Sequence, residues 1–202
     1  MPRKSYHHGD LKNALIQAGI QILAKEGVTG LSLRKVAGKA GVSHAAPYAH
    51  FTDKQALIAA ISTEGYRRLY ERIEDIILQY ADDPSKQLIE TAWTYVDFAL
   101  TDPAHFKITF SGVIEQEKDH PAFVEMSQKS FEAVVRIVEA CQAQGVLEAG
   151  PSDLVAVSVW SQVHGFASLV LEEQIPHTLL DRMGLREMLI FSLNQITKVS
   201  IT

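Results

Sequence analysis

Apolar residues recur at helical spacing along most of the chain. Leu11, Leu15, Ala18, Ile22 and Leu23 mark one face of a helix over Asp10–Glu26. Asp10 can cap its first amides, and Gly27 can end it. A second helix is predicted from Ser32 to Ala40, with Ser32 as cap and Leu33, Val36, Ala37 and Ala40 facing inward. Gly41 makes the turn, Val42 should fill the gap between the two helices, and Ser43 opens a third. Pro47 complicates that third helix. It lacks the N–H that would bond the Ser43 carbonyl, and it disfavours the α conformation at Ala46. The third helix should therefore be loose at its start or begin a residue or two late, and end near Phe51.

A long helix is predicted from Lys54, capped by Asp53, to about Tyr80, roughly 40 Å at 1.5 Å per residue. Asp82-Asp83-Pro84 stops it. Further helices are expected over Ser85–Leu100, Ala104–Phe110, Pro121–Gln144, Ser152–Glu173 and Leu185–Val199, the last from as early as Thr178. Gly112–His120 reads as an exposed, charged loop. No alternating strand pattern, internal repeat or low-complexity segment stands out. The fold class is all-α.

Two short helices joined by a glycine turn, over Leu31–Phe51, have the form of a helix-turn-helix, which lays its second helix in the DNA major groove. The formal net charge of −5 argues against DNA binding until it is divided along the chain. Residues 1–54 hold eight Lys/Arg and three acids, a net of +5, and the remainder carries −10. A basic head on an acidic body suits a protein that meets phosphate with its head alone, although chance clustering gives the same split. Polar residues interrupt the longest apolar stretches, around Ala156–Trp160 and Gly165–Leu171, so neither is expected to span a bilayer. The N-terminus has no signal-peptide shape. The single cysteine, Cys141, excludes an internal disulfide and a cysteine-based zinc site. A cytoplasmic protein without cofactor or metal is expected.

Residues 7–68 resemble the DNA-binding domain of the TetR family of transcriptional regulators. The matching pieces are Ile22-Leu23-Ala24-Lys25-Glu26-Gly27, Leu33-Arg34-Lys35-Val36-Ala37, Ala40-Gly41-Val42-Ser43 and Tyr48-Ala49-His50-Phe51, followed by Asp53-Lys54-Gln55-Ala56-Leu57. Each piece is weak alone; in this order and spacing they are specific. Ala46-Pro47 departs from the pattern, where many members carry threonine and an aliphatic residue. Trp160-Ser161-Gln162-Val163-His164-Gly165 is similar to one C-terminal subtype with a Trp…His-Gly triplet. The resemblance implies an N-terminal three-helix DNA-binding domain over 7–68. Residues 69–202 would form a ligand-binding and dimerisation domain, giving about nine helices and a homodimer with a small-molecule pocket in each C-terminal domain.

It also implies that Ser43, Tyr48, His50 and Lys54 stand where members touch phosphate, a role their donor groups suit. The plainer readings make Ser43 a helix cap, Tyr48 a packed aromatic and His50 a residue between helices. Base readout falls to His44, Ala45 and Ala46, which are poor substitutes for a bidentate arginine, so DNA shape should carry much of the specificity. Ser32, with the amides at the start of its helix, offers another phosphate site, and Arg34 and Lys35 either add to it or form a solvated face. Arg3, Lys4, His7 and His8 form either a minor-groove tail or a terminus without a role.

In the second half, Trp93, Phe98, Phe106, Phe110, Phe123, Met126, Phe131, Trp160 and Phe166 are mostly core, and as a group they leave room for an apolar ligand pocket. His164, at i, i+4 from Trp160, is either its polar residue or a satisfied core histidine. Val155, Val159, Val163, Phe166, Val170, Leu189, Leu193 and Ile196 suggest a dimer interface, a four-helix bundle with two helices per subunit. The function expected is a homodimeric regulator, a repressor released from a palindromic operator by a small apolar effector. A DNA binder without an effector, and an all-α enzyme, are the alternatives. No HExxH, GxSxG or phosphate loop supports an enzyme, and Glu115, Glu117, Asp119 and His120 read as solvated surface.

Overall fold

Helix signals in the chain are realised nearly one for one. A computed structural model describes residues 8–202, with side chains from Leu11 onward. The tail expected at Arg3, Lys4 and His7 lies outside that description. α1 begins at His8, so His8 is helical and Asp10 lies inside the helix instead of capping its start. Among the described residues there are nine α-helices and no strand: α1 (His8–Gly30), α2 (Leu33–Ala40), α3 (Lys54–Gln79), α4 (Pro84–Thr101), α5 (Pro103–Phe110), α6 (Pro121–Ala143), α7 (Ser152–Leu171), α8 (His177–Leu180) and α9 (Leu185–Leu193). Single 3-10 turns occupy Ala46–Ala49 and Glu117–Asp119.

The punctuation follows local chemistry. Gly27 takes φ 65° and breaks α1 at the expected place, with one more turn beyond it. Asp53 caps α3 by accepting from the Ala56 amide at 2.8 Å. Asp83 accepts from Lys86 N at 3.0 Å, and Pro84 opens α4, where its missing N–H costs nothing.

Two predicted ends are corrected. The third helix is a 3-10 turn that starts at Ala46, and no side chain caps it, so Ser43 is not its cap. The Ser43 carbonyl accepts from Ala46 N at 3.0 Å instead of from the absent amide of Pro47. The final helix is shorter than expected. It stops at Leu193, with α8 as a separate piece. Asn194 folds the chain back: its Oδ1 accepts from Ile201 N at 2.8 Å and its Nδ2 donates to Ile201 O at 3.1 Å. A polar clasp to buried Ile201 replaces the continuation of the helix.

The described residues form two compact units, 8–65 with 103–125, and 66–102 with 126–202. Residues 103–125 thus pack with the N-terminal helices, whereas the sequence reading counted them with the second domain. In the first unit Leu15, Ile22, Leu33, Val36, Ala37, Leu57, Ile61 and Phe106 are buried. Pro47 is buried and Val42 only half-buried, so the proline rather than the valine fills the angle beside α2. α5 grips α3 closely. Ser62 Oγ donates to Ile108 O at 3.2 Å, and His105 Nε2 bonds Ile61 O at 2.8 Å. A Cβ at Gly65 would lie 2.2 Å from Thr109 Oγ1.

In the second unit α4, α7 and α9 pack on one another. Val159, Val163, Leu189 and Leu193 are buried in this packing, so half of the stripe expected at a dimer interface is core. α7 is apolar on every side, and periodicity could not say which side faces inward. By length and composition α7 is apolar enough to cross a membrane, a property that core helices share. Its Gln162 and His164 are nevertheless hydrogen-bonded to α9 and α4, as in a packed helix.

Gly65→Ala tests the α3–α5 contact. The added methyl meets a β-branched, buried side chain that is itself bonded to His105 O at 2.8 Å. Denaturant titration should show a loss of about 1–3 kcal/mol. An unchanged midpoint would mean that the two helices are not held this close.

Candidate nucleic-acid interface

The head is built from the start of α2, the Gly41 turn and the segment 43–51. Ser32 is extended (φ −152°, ψ 152°), and its Oγ accepts from Lys35 N at 3.2 Å, which makes it the expected cap. Arg34 and Lys35 stand exposed in the first turn. Lys35 is paired with Glu26 of α1, so its charge is partly offset. Gly41 is left-handed (φ 71°), and Val42 N returns to Ala37 O at 3.0 Å, closing α2.

Beyond it Ser43, His44 and Ala45 are exposed and Ala46 is half-buried. Pro47 turns inward, and its carbonyl accepts from both His50 N and Phe51 N at 2.9 Å. Tyr48 points out, 63% exposed, and is not the packed aromatic of the plainer reading. His50 is half-buried beside Phe51, and its Nε2 has no hydrogen-bond partner within the protein. Lys54 is half-buried, and its ammonium donates to Val28 O at 2.6 Å. Of the basic groups expected at DNA, Arg34 and Lys35 are therefore the exposed ones, and Lys54 is engaged within the fold.

The residues expected around a ligand do not gather in one unit. Phe106, Phe110 and Phe123 belong to the first, where the rings of Phe106 and Phe110 meet at a tilt, with centroids 4.9 Å apart. Trp93, Phe98, Met126, Trp160 and His164 belong to the second. Here the sequence reading missed Tyr95. Its hydroxyl lies 2.7 Å from His164 Nδ1 and accepts from Trp160 Nε1 at 3.2 Å, joining α4 to α7. A phenol on the buried stripe of a helix must find such partners, and that was the signal available. Burial drives the Tyr95 hydroxyl well above the usual phenol range and lowers the His164 imidazole below its usual value. A neutral Nδ1 can then accept from the hydroxyl. Trp93 instead lies under Arg186, 5.6 Å from ring centroid to guanidinium, with Arg186 held by Glu90 at 2.5 Å.

Phe98 also borders an open cleft of about 350 Å³ with Leu69, but Arg68, Arg72, Glu71 and Asp75 give that cleft a charged rim. Cys141 is buried, with its thiol against Pro84 O at 3.3 Å and its pKa pushed up to about 12, chiefly by burial, so it is structural. Glu115, Glu117 and Asp119 lie exposed, and no metal-competent cluster occurs among the described residues.

Residues 15–61 match the family model for bacterial regulatory proteins of the tetR family. Residues 88–193 match the tetracyclin repressor-like C-terminal domain. The chain belongs to the TetR family. It is thus a DNA-binding transcriptional regulator and not an enzyme. The HTH-type transcriptional regulator YobS of Bacillus subtilis is 24% identical over 170 residues, 82% of this chain and 81% of that one. A solved protein of unknown function from Rhodococcus sp. RHA1 shares 30% identity and a TM-score of 0.78, covering 96% of each chain. The regulator FadR from Bacillus subtilis, solved in complex with stearoyl-CoA, has a TM-score of 0.74 at 16% identity, covering 92% of this chain and 97% of that one. In this TetR-family chain the matched N-terminal segment contains both α2 and the Tyr48 turn.

The Tyr95–His164 pair sets a pH dependence. A histidine whose folded pKa is lowered stabilises the fold above its unfolded value of about 6.5 and loses that contribution as pH falls. Unfolding free energy measured in urea should drop between about pH 7 and about pH 5, and His164→Gln should drop less. Equal slopes in the two proteins would remove His164 from this role.

Proposed function

We propose that the protein is a homodimeric repressor that binds a palindromic operator through paired heads and is released by a small apolar effector. The reading rests on one observation above others: an apolar face of the second unit stays exposed. Leu154, Val157 and Leu169 of α7 are 63%, 44% and 50% exposed, and Phe191 of α9 is 62% exposed. Gly165, on the exposed side of α7, leaves open space where a Cβ would stand, so a second helix could approach closely. A two-fold copy that covers this face makes a four-helix bundle and brings two heads together, to be set about 34–36 Å apart for successive major grooves. The occupant is then a protein helix rather than lipid, and the site of action is the cytoplasm.

In each head, Ser32, Arg34, Lys35, Ser43, Tyr48 and His50 would donate to phosphate, and His44, Ala45 and Ala46 would face the bases. The outward Tyr48, 63% exposed beside exposed Ser43, His44 and Ala45, supports that assignment. Release by an effector would act through α3, whose residues 54–65 belong to the first unit and 66–79 to the second. FadR, a structural neighbour, is described with stearoyl-CoA, which favours an amphipathic ligand with an acyl body. The charged rim of the open cleft at Phe98 favours a second reading, an effector-free regulator.

Light scattering should give twice the chain mass for the wild type and a monomer for Leu169→Glu with Phe191→Glu. That variant should bind duplex DNA at least about tenfold more weakly. A wild-type monomer, or full affinity in the variant, refutes the dimer. Arg34→Ala should lower the slope of log affinity against log salt by about 0.9, the value for one lost phosphate contact. Thermal shift with acyl-CoA esters and neutral apolar compounds separates the two readings. A raised melting temperature with loss of DNA retention supports the effector, and no shift across the panel supports its absence.

A further inference from the structure

α2 opens with two cations and no acid. Arg34 and Lys35 stand exposed in its first turn, and the helix carries no Asp or Glu there. That end of a helix is the positive pole of its aligned amides, so cations are unfavourable there and an anion is favourable. α1 supplies the anion. The Glu26 carboxylate is paired with the Lys35 ammonium across nine positions of sequence. Its reach is built into the corner between the two helices. Gly27 is left-handed and kinks α1. Beyond the kink Gly30 lies against Glu26: a Cβ at Gly30 would collide with Glu26 Cβ and stand 2.9 Å from Glu26 Oε2. The missing side chain at Gly30 therefore leaves room for the carboxylate on its way to Lys35. Both partners stay open to solvent, with Lys35 52% and Glu26 45% exposed, so the pair is accessible to an arriving anion.

We infer that Glu26 is an internal stand-in for a DNA phosphate, which steadies α2 in the free protein and competes with the operator for Lys35. The inference rests on the reading of Lys35 as a phosphate donor. The pair does not remove Lys35 from the interface, because an ammonium has three donors and a phosphate can join the carboxylate or displace it. The carboxylate acts by neutralising charge in advance. An arriving phosphate meets less positive charge, and its own negative charge faces that of Glu26. Glu26 thus acts on two quantities with opposite sign. It adds to the stability of the head and subtracts from its affinity for DNA. An ion pair of structural value only would change the first alone, and a residue that aimed Lys35 at DNA would raise both.

The experiment is a double-mutant cycle on the full chain: wild type, Glu26→Gln, Lys35→Gln and the double variant. A duplex selected by the wild type from a random-sequence pool is the probe, read by fluorescence anisotropy from about 50 to 200 mM salt. Thermal melting is followed without DNA. Glu26→Gln should bind the duplex about threefold more tightly, the weight of one exposed ion pair, with a steeper salt dependence. Its melting temperature should fall by about 2 °C. In the Lys35→Gln background the same change should do neither. Equal tightening in both backgrounds marks a long-range charge effect and overturns the inference. So does unchanged or weaker binding by Glu26→Gln, or an unchanged melting temperature. If Lys35→Gln binds as tightly as wild type, Lys35 is no phosphate contact, and the inference falls while DNA binding stands. Failure of the wild type to select any duplex strikes the DNA-binding reading itself and takes the inference with it.

Discussion

The two elements that form the recognition part of the head are too short to hold a shape alone. α2 has eight residues and the Tyr48 turn has four, well under the length at which an isolated helix persists in water. Their geometry depends on burial of a small apolar seam. Val36 and Ala37 of α2 and Pro47 and Phe51 of the following segment are buried, and Leu15 and Leu57 are buried on the two long helices beside them. Each fully buried aliphatic side chain contributes about 1.5–3 kcal/mol, which outweighs the poor intrinsic stability of the short pieces. The exposed groups that face outward are carried by this seam.

Pro47 illustrates how one residue serves both purposes. Its ring is buried, while its missing N–H forces the segment into the tighter 3-10 geometry. Residues three apart then eclipse, and Tyr48, next to the buried proline, is turned outward. The exposed donors of the head sit on a rigid base for that reason: the residue that bends the backbone is also the one that anchors it.

The second unit solves a different problem. α7 is apolar on every side, so one face is satisfied by α4 and α9 and another remains in water. Polar side chains mark the satisfied face. Gln162 Nε2 donates to the Ser192 hydroxyl at 2.8 Å, and His164 and Trp160 meet the Tyr95 hydroxyl. Such bonds are costly to leave unmade in a buried setting, and they select one helix register where apolar contacts alone would accept several.

The sequence alone determined the all-α class, most helix limits, the Ser32 and Asp53 caps and the left-handed Gly41, because these follow from side-chain chemistry within a few residues. The short 3-10 turn was partly legible in Pro47. The tertiary structure alone decided which face of α7 is core and that Tyr95 pairs with His164. It also decided that α5 belongs with the N-terminal helices, and that the Lys54 ammonium donates to the Val28 carbonyl. Each of those depends on partners far apart in the chain, and a periodic pattern records only that a face is apolar, not what comes to cover it.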